Sequence, residues 1–313
     1  MTVDILVGDC VEQMRHLEPG SVHTCVTSPP YFGLRDYGVE GQIGLEQTPD
    51  EYVAKLVEVF REVRRVLRDD GTLWLNLGDS YAHPTKGTGG GWAADPNNYA
   101  HKAQAFGARK FSMGDAKPKD LMGIPWRVAF ALQADGWVLR QDIVWSKPNA
   151  LPESVRDRCT KAHEYIFLLS KRPRYYFDSE AIKEPAVSEK PAGNKRHKYA
   201  DAYAAGVLGK HRTKAGLLAL TGVEWEKRNK RSVWTVATKP FKGAHFATFP
   251  PDLIEPCVLA GCPEGGTVLD PFGGSGTTGL VAKGLRRNAV LCELNPEYAE
   301  MARGRIGEGA FVL

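Results

Sequence analysis

Short β-rich runs alternate with helical stretches at both ends of this 313-residue chain, and that alternation constrains its fold more than any other feature. At the start, Asp4-Ile5-Leu6-Val7 is apolar and Gly8-Asp9-Cys10 is a turn. Val11–Leu17 then places apolar residues at helical spacing, and Val22–Thr27 is a second β-rich run. At the other end, Thr267–Asp270 reads as a strand, 277–286 as a helix, Ala289–Cys292 as a strand and 296–305 as a helix. Repeated βα units predict an α/β fold of Rossmann type, a mostly parallel sheet covered by helices on both faces. Between the ends, Pro49-Asp50 opens an amphipathic helix with Tyr52, Val53, Leu56, Val59, Phe60, Val63, Val66 and Leu67 on its apolar face. Asp69-Asp70-Gly71 marks its end, and Thr72–Leu77 is the next strand. A helical stretch at 120–134 and strands at Trp137–Trp145 and Glu164–Leu169 continue the pattern.

Two stretches depart from it. Residues 83–118 contain Lys86-Gly87-Thr88-Gly89-Gly90-Gly91 and almost no periodicity, as expected of a functional or mobile loop. From Lys190 to Lys242 there are 13 Lys and Arg against 3 Asp and Glu, whereas the rest of the chain has 28 against 34. A basic block on a slightly acidic body attracts polyanions, because each neutralised phosphate releases a counterion. Taken alone, a solvated charged loop explains such a block equally well. The remaining composition excludes several classes. Hydrophobic residues are 42% and charged residues 25%, which rules out gross disorder. No apolar run approaches the roughly 18 residues needed to span a bilayer, and the N-terminus does not read as a signal peptide. Six scattered cysteines without a CxxC pair fit a reducing cytosol, and the eight histidines show no metal-ligand spacing.

Two turns carry the chemistry. Asp270-Pro271-Phe272-Gly273-Gly274-Ser275-Gly276-Thr277-Thr278 lies between a strand and a helix, where glycines allow tight turning and close approach of backbone to a ligand. No Lys-Ser/Thr follows, so it is not a phosphate loop for nucleoside triphosphates. Glu293 ends the next strand, about 20 residues on, where a carboxylate can accept from ribose hydroxyls. The pair points to an adenosine-containing ligand, either NAD or S-adenosylmethionine. The second turn, Thr27-Ser28-Pro29-Pro30-Tyr31, stands at the carboxyl end of a strand, the edge where open α/β sheets bind ligands. Two prolines stop the strand and stiffen the backbone. A hydroxyl and a fixed carbonyl can accept from an amino group, and Tyr31 can stack on a planar base. That is the set needed to orient an exocyclic amine for attack on a methyl group.

With these motifs the chain resembles the amino-methylating DNA methyltransferases, which transfer a methyl group from S-adenosylmethionine to cytosine N4 or adenine N6. The resemblance covers nearly the whole chain. It implies that Ser28, Pro29, Pro30 and Tyr31 are the catalytic motif and that Asp270–Gly276, with Thr277, Thr278 and Glu293, bind the cofactor. It also implies that Thr248, Phe249 and Pro250, in His245–Pro250, flank the cofactor's methionine end, and that Asp9 sits near the adenine ring. The motif order is that of the β group, a circular permutation of the usual methyltransferase order in which the first and last strands meet in one sheet. Residues 1–171 then form the catalytic half, 172–242 the target-recognition region and 243–313 the cofactor half. Double-stranded DNA is the implied partner. Lys195, Arg196, Lys198, Lys227, Arg228, Lys230 and Arg231 are candidate phosphate contacts, joined by Lys147 and Arg158 near strand ends. Trp225 and Trp234 are expected to pack in a small recognition-domain core.

In that family a Ser before Pro-Pro is associated with cytosine N4, and Asp or Asn more often with adenine N6. Ser28 therefore favours cytosine N4, with adenine N6 the alternative and an RNA substrate behind both. A hydroxyl both donates and accepts, so Ser28 can donate to cytosine N3 while the Pro29 carbonyl takes an amine proton. The target base must leave the duplex to expose its amine. No metal and no covalent intermediate are needed, and Cys10, Cys25 and Cys292 read as small core residues. A cytoplasmic bacterial or phage-infected host is implied, while a homodimer and a partner restriction nuclease remain open.

Overall fold

The structure is a computed structural model and describes residues 1–34, 36–82, 116–186, 226–239 and 249–308. Of the sequence expectations, Lys195, Arg196, Lys198, Trp225, Thr248 and nearly all of the 83–118 loop lie outside these residues. The chain divides into two compact units, Met1–Asp178 with Arg231–Leu313, and Ser179–Lys230.

The larger unit is built on one eight-stranded sheet. Its strands are β1 (Val3–Val7), β2 (Val22–Thr27), β3 (Leu67–Leu77), β4 (Val138–Ser146), β5 (His163–Ser170), β8 (Val233–Thr235), β9 (Thr267–Asp270) and β10 (Asn288–Glu293). Their spatial order is β1-β10-β9-β2-β3-β5-β4-β8. The run from β1 to β3 is parallel throughout, and β5 is antiparallel to both β3 and β4. The first strand pairs with the last: Val3 lies opposite Ala289 and Val7 opposite Glu293.

Among the described residues six helices cover the sheet: α1 (Cys10–Arg15), α2 (Pro49–Val66), α3 (Ile124–Ala134), α4 (Pro251–Gly261), α5 (Thr277–Gly284) and α6 (Pro296–Glu308). Helix α2 packs against both α1 and α3, and α5 packs against both α4 and α6. Helix α2 starts where Thr48 and Glu51 form a reciprocal capping box and Pro49 presets the first turn. Tyr52, Leu56, Val59, Phe60, Val63 and Val66 on its inner face are fully buried, the stripe expected of a helix lying on a sheet. Asp69-Asp70-Gly71, expected to close the helix, lies instead within β3. Leu67 already has extended backbone, φ −67° and ψ 140°. Between Leu67 and Thr72 the strand advances five residues while β2 advances two, from Val22 to Thr24. The acidic pair and glycine thus form an outward bulge.

The smaller unit contains a two-stranded pairing of β6 (Glu184–Pro185) with β7 (Lys227–Arg228). Trp234, expected in a recognition-domain core, is instead buried in β8 of the main sheet, opposite Trp145 on β4.

Candidate active site

The sheet order reverses direction between β9 and β2. From β9 the chain steps to β10 on one side, and from β2 it steps to β3 on the other. At such a switch point the loops leaving the two strands diverge and open a crevice at their carboxyl ends. The glycine-rich turn leaves β9 and Ser28-Pro29-Pro30-Tyr31 leaves β2, so both motifs meet there. They are joined directly: the Thr27 hydroxyl donates to Asp270 Oδ1 at 2.6 Å.

Asp270 is buried, and its partners are all donors. Oδ1 also accepts from the Phe272 amide at 3.0 Å, and Oδ2 accepts from the Thr278 hydroxyl at 2.6 Å. Burial raises its pKa above the ordinary carboxylate value, and these three hydrogen bonds oppose the shift. Both carboxylate oxygens are engaged within the fold, so Asp270 shapes the turn. The glycines have separate roles. Gly274 and Gly276 have φ of +50° and +79°, which L side chains rarely adopt. A Cβ on Gly273 would lie 2.9 Å from Leu291 Cβ, and one on Gly276 would lie 2.9 Å from Ala302 Cβ. Arg305 ties the far side of the turn, donating to the Ser275 carbonyl, the Ser275 hydroxyl and the Thr277 hydroxyl at 3.1, 3.0 and 2.8 Å.

Two acids stand beside this turn. Glu293 ends β10, accepting from the Gly274 amide at 2.7 Å and the Asn295 amide at 2.8 Å. Burial raises its pKa, and the same two amides oppose the shift. Asp9 follows β1, the neighbouring strand, and caps α1 by accepting from the Val11 and Glu12 amides at 2.9 and 3.0 Å. A tight backbone cradle flanked by two carboxylates fits the adenosine part of S-adenosylmethionine, whose hydroxyls and ring amine are donors. Phe249 is half-buried and Pro250 is buried at the start of α4.

The Ser28–Tyr31 turn is held by side chains from distant segments. The Pro30 carbonyl accepts from the Tyr52 hydroxyl of α2 at 2.8 Å. The Tyr31 hydroxyl lies 2.8 Å from Glu164 Oε2 on β5, 3.1 Å from Asn76 Oδ1 on β3 and 3.4 Å from Ser28 Oγ. Asn76 is itself oriented, its amide donating to the Tyr165 carbonyl at 3.1 Å. Burial, followed by the negative charge of Glu164, pushes the Tyr31 pKa well above its ordinary value. Gly78 packs on the Tyr31 ring, where a Cβ would come within 2.5 Å of Tyr31 Cε2.

Lys147 was a candidate phosphate contact. Its ammonium instead pairs with Glu164 Oε1 and lies 4.2 Å from the Trp145 ring centre, with its side chain 18% exposed. A cation between a carboxylate and an aromatic face is committed to this network. Arg158 pairs with Glu153 at 2.5 Å and lies 4.0 Å from the Tyr81 ring centre. Arg228 pairs with Glu184 at 2.8 Å, while Lys227 and Arg231 are exposed and Lys230 is half-buried. Burial raises the pKa of the Cys25 and Cys292 thiols and pushes Cys10 up to about 12, so all three are held as thiols.

Sequence reading missed Asn76, Gly78, Tyr52 and Glu164. The available signal was a polar residue inside an apolar strand: Asn76 between Leu75 and Leu77, and Glu164 ahead of Tyr165-Ile166-Phe167.

The profile of a DNA methylase family matches residues 22–304. The chain belongs to the DNA methylase family. It is 48% identical over 302 residues to Type II methyltransferase M.SmaI of Serratia marcescens, covering 96% of this chain and 90% of that one. It is 50% identical over 299 residues to Type II methyltransferase M.XycI of Xanthomonas campestris pv. cyanopsidis, covering 96% and 86%. The fold matches PvuII DNA methyltransferase, described as cytosine-N4-specific, with a TM-score of 0.63, 19% identity and coverage of 99% and 89%. It also matches the M1.HpyAVI–SAM complex with a TM-score of 0.56, 18% identity and coverage of 97% and 99%. As a member of this family the chain is an S-adenosylmethionine-dependent DNA methyltransferase. Among the described residues, no helix is long and apolar enough to cross a membrane.

Proposed function

We propose that this methyltransferase modifies the exocyclic amine of a flipped base, cytosine N4 ahead of adenine N6, at the turn Ser28–Tyr31. The observation that carries the reading is the Thr27–Asp270 hydrogen bond, which fixes the catalytic and cofactor turns side by side. The cofactor supplies a sulfonium methyl group when bound. Gly273, Gly274 and Gly276 would hold it through backbone, with Glu293 and Asp9 on its adenosine part and Phe249 and Pro250 at its methionine end. An aromatic amine is a poor nucleophile because its lone pair is delocalised into the ring. Acceptors on both of its protons favour the tetrahedral form, in which the lone pair is free. The Pro30 carbonyl is taken by Tyr52, so the acceptors assigned here are Ser28 Oγ and the Pro29 carbonyl. The Tyr31 ring, backed by Gly78, lies against the base, and most of the rate gain is positional.

Cytosine N4 is favoured by Ser28 and by the fold shared with a cytosine-N4-specific enzyme. We assign target recognition to the region 172–242, which contains the compact unit Ser179–Lys230. Among the described residues we assign phosphate contacts to Lys227 and Arg231, both exposed, and to Lys230. Arg228 and Arg158 contribute only by exchanging their carboxylates for phosphate. The β-group permuted order is supported by the pairing of β1 with β10. Homodimerisation, a companion nuclease and a cytoplasmic location belong to the same proposal, suggested by the Type II relatives.

The test is methyl transfer from labelled S-adenosylmethionine to unmodified genomic DNA, followed by nucleoside mass analysis. Labelled N4-methylcytosine is expected. N6-methyladenine alone would replace the base assignment, and label confined to RNA would replace the substrate.

A further inference from the structure

The hydrogen bonds around Tyr31 have a determined direction, and it changes what Ser28 can do. A tyrosine hydroxyl has one proton to donate. Two acceptors compete for it: Glu164 Oε2 at 2.8 Å and Asn76 Oδ1 at 3.1 Å. The carboxamide of Asn76 cannot present its nitrogen instead, because that nitrogen donates to the Tyr165 carbonyl and to Glu164 Oε2, at 3.1 and 3.4 Å. Glu164 cannot turn away, because Lys147, a donor-only group, occupies its other oxygen. Whichever acceptor takes the Tyr31 proton, Tyr31 offers Ser28 only a lone pair. The Ser28 proton therefore points to Tyr31 across 3.4 Å, a long contact, and the free face of Ser28 Oγ only accepts.

We propose that Glu164, Asn76 and Lys147 are positioning residues that act through the Tyr31 hydroxyl to make Ser28 an acceptor for the substrate amine. The proposal rests on the active-site reading above. It decides between the two roles that the sequence leaves open to Ser28, donor to a ring nitrogen or acceptor from the amine, in favour of the second: Ser28 and the Pro29 carbonyl take the two protons of one NH2 group. Tyr31 then has two roles, its ring against the base and its hydroxyl in the chain of hydrogen bonds.

A double-mutant cycle on single-turnover methyl transfer tests this, using labelled S-adenosylmethionine and unmodified genomic DNA. Tyr31→Phe keeps the ring and removes the hydroxyl. In the parent enzyme it is expected to slow transfer about tenfold, the cost of one oriented hydrogen bond, with cofactor affinity unchanged by calorimetry. In a Ser28→Asp background, where the residue can only accept, the same change is expected to cost less than about threefold. An equal cost in both backgrounds would mean that the hydroxyl merely supports the structure, and would overturn the proposal.

A second set of variants serves if Ser28→Asp is inactive. In Glu164→Gln/Asn76→Leu, Lys147 holds the new amide's oxygen, so its nitrogen faces Tyr31 and both acceptors are gone. Tyr31 must then donate to Ser28, and transfer is expected to fall by tenfold or more. Adding Tyr31→Phe to that pair is expected to restore part of the rate, and absence of any rescue would overturn the proposal. If the parent enzyme labels no DNA, the active-site reading fails instead, which separates the two.

Discussion

The two turns at the switch point face the same crevice but are built in opposite ways. The turn after β9 is held by backbone and by groups of its own and the following βα unit: Asp270 bonds Phe272 and Thr278, Gly274 donates to Glu293, and Arg305 of α6 donates to Ser275 and Thr277. The turn after β2 is held by side chains from three other segments, Tyr52, Asn76 and Glu164, the last fixed in turn by Lys147. Local backbone geometry suits the proposed binding of S-adenosylmethionine, a ligand that does not vary with the target base. Distant side chains leave the other turn free to be re-oriented for a particular base. The Thr27–Asp270 bond links the two, side chain to side chain.

If that contrast is right, the two turns should fail in different assays. The largest effect is expected at Gly276. Alanine there would hold a positive φ of +79° and press its Cβ to 2.9 Å from Ala302. Strain and overpacking together should cost about 3 kcal/mol of stability and abolish cofactor binding, read by urea unfolding and calorimetry. Gly274→Val, at φ +50°, should lose cofactor binding for the same backbone reason. The turn proposed as catalytic should break without loss of cofactor. In Gly78→Ala the new methyl falls 2.5 Å from Tyr31 Cε2 and must displace the ring. Turnover should fall about a hundredfold, the scale of a misplacement near 1 Å, while cofactor affinity stays within about twofold. Loss of both readouts in Gly78→Ala would mean that the two turns form one cooperative unit.

A smaller effect is expected at Tyr52→Phe, which leaves α2 packed but frees the Pro30 carbonyl. Stability should fall by about 1 kcal/mol and turnover by a few-fold, because a second free carbonyl then competes with that of Pro29. Unchanged turnover would take the Pro30 carbonyl out of the argument.

The same contrast explains what could be read from the sequence. The βα alternation, both turns and the helix from Pro49 were legible because each is encoded by neighbours in the chain: glycines, prolines, caps and a 3.6-residue period. The β9 turn was visible with its acid, Glu293, because that acid lies one strand onward. The partners of Tyr31 were not legible. Lys147 and Glu164 are 116 and 133 residues from it in sequence, brought together by the order β3-β5-β4 and by the antiparallel setting of β5. A run of βα units gives no warning of that antiparallel strand. A lysine beside Pro148 at a strand end looks exposed until its carboxylate partner is known, so Lys147 reads from the sequence as a phosphate contact. Asp69-Asp70-Gly71 misled differently, since residues that favour turns serve a bulge as well as a helix end.

The smallest expected effect concerns pH and again separates the turns. Burial raises the pKa of Glu293 above the ordinary 4.5 of a glutamate. The unfolded chain loses that proton first, near the ordinary value. As pH rises from there through the raised folded value, the native state holds more protons than the unfolded one. The stability of the cofactor-free enzyme should therefore decline across that window. Glu293→Gln removes its titration and should flatten this part of the curve, leaving the contributions of Asp270 and Glu46, whose pKa values burial raises in the same direction. Ribose hydroxyls donate to a carboxylate and favour its charged form, so cofactor affinity should strengthen as pH rises through the same window. In Glu293→Gln that pH dependence should be reduced. Calorimetry and urea unfolding across the window read both slopes. An affinity that weakens with rising pH in the parent enzyme would place the ribose elsewhere and return Glu293 to a purely structural part, as the acceptor of the Gly274 amide.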